Sequence, residues 1–175
     1  MPRFSLFLLL LLPLAACDSG GEIDPVPTDA TVAVTIEAIQ ADSQCDERDG
    51  NPGDFQFKID LVDEGNNLLQ SLVLPGTATY GINSGTVELL EGQRLTVGEV
   101  LTVQRPRVDG SGFGVVFSGI EWDSATSRDV RFNDISKASS FGYLNGAFLN
   151  VAGNKTLKLG PISCDVTLEY SISAG

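Results

Sequence analysis

Along this chain apolar and polar residues alternate with a period of two far more often than they recur every three or four positions, and that pattern predicts strands. From Thr31, the residues Val32, Val34 and Ile36 share one face while Thr31, Ala33, Thr35 and Glu37 share the other. This is the signature of a half-buried strand, because successive side chains leave opposite faces. Asp54 to Val62 repeats it with larger groups: Phe55, Phe57, Ile59 and Leu61 point one way, Gln56, Lys58 and Asp60 the other. Asp63 to Asn67, DEGNN, then supplies turn residues before the apolar run Leu68 to Leu74. The segment 54–74 therefore reads as a β-hairpin, ended by Pro75-Gly76. Cys164 to Ile172 alternates most cleanly, with Val166, Leu168, Tyr170 and Ile172 against Thr167, Glu169 and Ser171.

Between these lie further β-branched, apolar runs at Thr86 to Leu90, Arg94 to Val103, Phe113 to Asp123, Arg128 to Phe132 and Lys155 to Leu159. Gly, Pro, Asn and Asp separate them, as in the hairpin turn expected at Asp109-Gly110-Ser111-Gly112. About eight or nine short strands with little helical spacing predict an all-β fold, an antiparallel β-sandwich of Ig-like or C2-like type. A closed β-barrel is the alternative. Ser136 to Gly153 leaves a short helix, an irregular loop or an edge strand open.

Chemistry narrows next. The chain has no histidine, which removes the usual general base, the commonest metal ligand and every Ser-His or Cys-His pair. No Gly-rich dinucleotide or phosphate-binding motif is present. Paired carboxylates remain: Glu121-Trp122-Asp123 would set two acids beside a sugar-stacking aromatic, the basis of a small carbohydrate-active enzyme. The plainer reading makes this a strand end with Trp122 in the core. With 11 Lys and Arg against 23 Asp and Glu, the net charge is -12. A surface of that sign repels phosphate backbones, so nucleic acid is not an expected partner. Cations are, unless the acids only solvate the surface, as suits a saline habitat.

Met1 to Cys17, MPRFSLFLLLLLPLAAC, has a basic start and an apolar run from Phe4 to Leu14 that is too short to span a bilayer stably. Its end, Leu14-Ala15-Ala16-Cys17, resembles the lipobox of bacterial lipoprotein precursors. The resemblance implies cleavage before Cys17 and a diacylglycerol on its thiol, leaving 1–16 as signal peptide. Residues 17–30 follow as a lipidated, acidic, Gly- and Pro-rich tether, and 31–175 as one sandwich domain. Asp18 resembles an inner-membrane retention signal, whereas acids close behind the cysteine resemble the surface-export signals of Bacteroidota lipoproteins; the outer membrane is favoured. With Cys17 consumed, Cys45 and Cys164 are the pair left in an exported, oxidising compartment, and a disulfide between them is expected rather than two separate thiols. Such a bond would bring the terminal strands together.

The densest ligand cluster is the loop Ala41 to Asp54, ADSQCDERDGNPGD. Asp42, Asp46, Asp49, Asn51 and Asp54, with Glu47, offer the oxygens that calcium prefers, and Asp165 would adjoin them through the disulfide. The arrangement resembles the acidic apical loops of C2-type calcium sandwiches, although the EF-hand spacing is absent: Arg48 occupies the third position counted from Asp46. A solvated acidic loop is the competing reading. The expected protein is thus a lipid-anchored envelope component with a non-catalytic sandwich that binds or scaffolds another envelope protein or a glycan. Calcium-dependent binding through 42–54 is the first alternative and carbohydrate chemistry at Glu121 the second.

Overall fold

The computed structural model describes residues 29–43, 51–82, 84–122, 129–134, 140–149, 154–159 and 164–175. They form eleven strands: β1 (Ala30–Ala41), β2 (Gly53–Val62), β3 (Leu68–Leu74), β4 (Val87–Leu89), β5 (Arg94–Arg105), β6 (Gly112–Trp122), β7 (Asp129–Asp134), β8 (Ser140–Leu144), β9 (Ala147–Phe148), β10 (Asn154–Leu159) and β11 (Val166–Ala174). No helix occurs among the described residues. One sheet has the order β10-β11-β1-β5; the other runs β3-β2-β6-β8-β9, with β4 also pairing β2 and β7 also pairing β6. Every pairing is antiparallel. Two separate sheets enclosing one core make a sandwich, not a closed barrel.

The alternation of β1 puts Val32, Val34 and Ile36 in the core, and then its parity changes. Ile36 pairs with Glu99 and Ala38 with Thr96 across the β5 ladder, so Glu37 faces both Val97 and Gly98. Gly98, at φ 75, takes the left-handed conformation that this bulge demands. Past it, Ile39 and Ala41 join the core instead of the even positions. That is why the simple alternation stops at Glu37.

Facing this sheet, β2 and β6 contribute Phe55, Phe57, Phe113 and Phe117, each at most 2% exposed. Three of the rings form a line: Phe55 stacks on Phe57 at 5.3 Å, and Phe57 tilts against Phe117 at 5.6 Å. Burying each such side chain contributes about 1.5–3 kcal/mol relative to leaving it exposed. On β11, Val166, Leu168, Tyr170 and Ile172 close the core from the other sheet, on the face the alternation predicts.

The registers also define two ends of the sandwich. Ala30 pairs with Arg105 and Val32 with Ala174, so the start of β1, the finish of β5 and the finish of β11 meet at one end. Gly112, Val62 and the β8–β9 hairpin belong to the same end. Ala41 pairs with Val166 at the other, where β2 begins opposite Leu89 and β6 finishes.

Two expectations change, and one left open is filled in. Glu121 rather than Trp122 turns inward: Glu121 is 3% exposed and opposes Phe55, whereas Trp122 is half-buried on the outer face. The parity of β6 is set by Phe113 and Phe117, and it carries Glu121 inside with them. Asp109-Gly110-Ser111-Gly112 does reverse the chain, with Ser111 N donating to Val108 O at 3.0 Å, but it links β5 of one sheet to β6 of the other rather than closing a hairpin. Turn residues specify a reversal, not the sheet that receives the next strand. Within Ser136 to Gly153, the described part is the β8–β9 hairpin around Asn145-Gly146, both at positive φ.

Candidate functional site

The acidic loop predicted as a cation site springs from the end where β1 finishes and β2 begins. Of its oxygen donors, Asp46, Glu47 and Asp49 lie outside the described residues, as does Cys45. Asp42 is committed to the fold. Its backbone N–H donates to Asp165 O at 2.7 Å, and its carboxylate accepts from Gln40 Nε2 at 3.3 Å and from the Thr167 hydroxyl. Asp54 accepts from Thr86 Oγ1 at 3.1 Å. Among the described residues no group of three or more His, Cys, Asp or Glu side chains converges on a common point. One pairing does concentrate charge here: Asp54 stands directly opposite Glu88 in the β2–β4 ladder.

Asp165, expected beside the loop, is beside it. Its N–H donates to Ser43 Oγ at 2.7 Å, so the chain two residues before Cys45 touches the residue after Cys164. Cys164 itself is 3% exposed. The sugar-stacking set does not assemble as a surface platform, because Glu121 is buried and Asp123 lies outside the described residues.

The opposite end carries concave surface that sequence reasoning did not single out. Here the connector 106–111 and the β8–β9 hairpin are held by the fold: Tyr143 N donates to Ser111 O at 2.7 Å, and Asn145 N to Asp109 Oδ1 at 3.2 Å. Gly112 has no room for a side chain, since a Cβ would sit 2.5 Å from Phe141 O. Phe141, Phe113, Phe148 and Tyr143, in that order, form an aromatic chain with successive centroid separations of 5.0, 6.2 and 5.1 Å, which fixes the hairpin on the core.

Two grooves flank this hairpin. The first, about 440 Å³, lies between it and the meeting ends of β1 and β11, with Arg107, Tyr143, Phe148 and Ile172 in its walls. The second, about 390 Å³, is bounded by the β2–β3 turn, with Asp63, Glu64, Ser111 and Phe141. Asp63 organises that turn by accepting from the N–H groups of Gly65 and Asn67, each at 2.8 Å, and from the Asn67 side chain at 2.9 Å. The Asn67 side chain, first among these contacts, holds the Asp63 carboxyl below its ordinary pKa. Glu64 pairs with Arg105 and accepts from Gly112 N at 3.0 Å. The second groove's acids are therefore spent on structure, while in the first Arg107 Nε is buried with no hydrogen-bond partner among the described residues. The sequence signal available was Arg105-Pro106-Arg107, two of only 11 basic residues placed close together at a strand end.

No protein-family model matches this chain, and no curated protein matches it. Among solved structures, a C2 domain of plant Extended Synaptotagmin 1 is similar at 13% identity and a TM-score of 0.42, covering 85% of this chain and 97% of that one. Human GIVD cytosolic phospholipase A2 is similar at 14% identity and a TM-score of 0.40, over 84% of this chain but only 16% of that one. The class of the protein, a two-sheet antiparallel β-sandwich, stands on its own strand registers.

Proposed function

We propose that this chain is a lipid-anchored protein of the bacterial envelope, with the outer membrane favoured, whose sandwich acts by binding or scaffolding rather than by catalysis. The supporting observation is the polarity of the domain. The chain enters at Ala30, at the end bearing the grooves, while the acidic loop leaves from the opposite end. A lipid on Cys17 would then keep the grooved end nearer the membrane and present the acidic end outward, towards another envelope protein or a glycan. The absence of histidine from the sequence favours binding over acid–base turnover. Cells expressing the full chain with radiolabelled palmitate test the anchor. Label and membrane fractionation are expected for the natural chain and lost in Cys17→Ala; an unlabelled natural chain would exclude the anchor.

A second reading, calcium-dependent binding through Asp42, Asp46, Asp49, Asn51 and Asp54, is favoured by the Asp54–Glu88 pair at the root of the loop. Like charges directly opposite on a ladder destabilise it unless a cation neutralises them. Calcium at millimolar concentration should then raise the melting temperature saturably, and Asp49→Ala with Asp54→Ala should abolish the rise. Calorimetry showing no calcium-linked shift would reject this reading.

A further inference from the structure

We propose that the groove between the β8–β9 hairpin and the meeting ends of β1 and β11 is a binding site for a small organic carboxylate, its charged head on Arg107 and its apolar body against Phe148, Ile172 and Tyr143. Charge accounting selects Arg107. Among cations whose side chains the structure describes, Lys58 pairs with Asp60 at 2.6 Å, Arg94 with Glu169 at 2.7 Å, and Arg105 with Glu64. Arg107 pairs with no acid among the described residues, although acids outnumber bases 23 to 11 along the chain. It is half-buried, and its Nε–H is shut off from solvent without an acceptor among the described residues. A ligand cannot reach an atom closed to water, so the donors that Arg107 offers to the groove it lines are its terminal guanidinium nitrogens, which are not closed off in this way. A planar guanidinium fork is matched by a carboxylate, which accepts two parallel hydrogen bonds.

The rest of the groove decides what the carboxylate is attached to. Phe148 is 9% exposed and Ile172 5%, and the Tyr143 ring stands edge-on to Phe148 at 5.1 Å. Gly146, at φ 84, takes the left-handed conformation that turns the hairpin tip, 3.9 Å at its Cβ position from the Tyr143 hydroxyl, an ordinary contact distance. A volume of about 440 Å³ lies in the range of small-molecule sites, which join apolar walls to few polar anchors. An inorganic anion would leave those walls empty, and a neutral apolar molecule would leave Arg107 unmet.

This site deepens the binding role proposed for the sandwich. Lipid labelling at Cys17 and ligand binding are read separately, so the failure of either leaves the other standing. The test is equilibrium dialysis of the purified chain, in the detergent that extracts it and against a detergent-only blank, with radiolabelled 3-phenylpropionate. Saturable binding of one equivalent is expected. Arg107→Gln should weaken it about tenfold or more, the size of one lost charge-assisted contact, without lowering the melting temperature. Arg107→Lys should retain part of it. Ala147→Trp, a change at an exposed position lining the groove, should block it by filling the space. The uncharged 3-phenylpropan-1-ol should compete poorly. No saturable binding at millimolar ligand, binding unchanged in Arg107→Gln, or equal competition by the alcohol would each overturn the proposal.

Discussion

Gln56 shows how a single side chain can organise a loop that has no regular structure of its own. It sits on the outward face of β2, yet it is 0% exposed, because the β3–β4 connection folds over it. Its Nε2 donates to Ile82 O at 2.6 Å and to Gly85 O at 2.9 Å, and its Oε1 accepts from Gly81 N at 3.1 Å. Only an amide, with donors and an acceptor on one planar group, satisfies all three. Gln56→Ala removes this partner from Gly81 N and Gly85 O, while Ile82 O keeps its bond from Ser84 N at 2.7 Å, and should lower stability by about 2 kcal/mol, the range for orphaned polar groups. Urea denaturation would show it as a lower midpoint with faster proteolysis at 75–86; an unmoved midpoint would mean the loop is held by other contacts. The alternation of β2 predicted where Gln56 points. It could not predict the loop above it, since hydrogen bonds spanning 25 to 29 residues leave no local pattern.

Among elements, the pairing of β1 with β11 has the widest consequences. Val32 faces Ala174 and Ala41 faces Val166, so the first and last strands lie side by side, as the expected disulfide required. Beyond the ladder, the Asp42–Asp165 and Ser43–Asp165 hydrogen bonds continue the contact towards the cysteines. We therefore expect non-reducing peptide mapping to find Cys45 joined to Cys164. A bridge over so long a loop is worth about 4.7 kcal/mol by chain entropy, and Cys45→Ser with Cys164→Ser should lose a large part of it. Labelling of both thiols in the unreduced protein would exclude the bond. Strand existence was legible at this scale because each run carries its own period and turn residues. The bulge at Glu37 was not, because there one residue of β1 meets two of β5 and has no counterpart between the adjacent Tyr170 and Glu169 of β11, partners far away in the sequence.

At the scale of the whole molecule, the charge of -12 and the layout of the two ends govern what the protein can meet. Self-repulsion among the acids is relieved by any salt, gradually and without saturation, because screening depends on ionic strength alone. Sodium chloride at matched ionic strength is therefore the control for calcium. A rise in melting temperature shared by both salts belongs to the surface, and only the saturable excess with calcium belongs to the loop 42–54. The two proposed sites lie at opposed ends: the acidic loop at one, and at the other the groove lined by Arg107, which pairs with no acid among the described residues. Such an arrangement lets the two be tested by independent substitutions, since mutations far apart with no shared partner act additively.

The sequence by itself determined that the chain is all-β, which faces of β2 and β11 are buried, where the β2–β3 hairpin turns, and that no histidine is among its residues. Those properties follow from period, turn chemistry and composition, all of them local or additive. Tertiary structure decided which sheet each strand joins, the inward turn of Glu121, the commitment of Asp42 and Asp54 to structural hydrogen bonds, and the placing of Arg107 and Phe148 in the walls of one groove. Each depends on residues far apart in the chain being brought together, and side-chain partnership across such distances is settled only when the sheets pack.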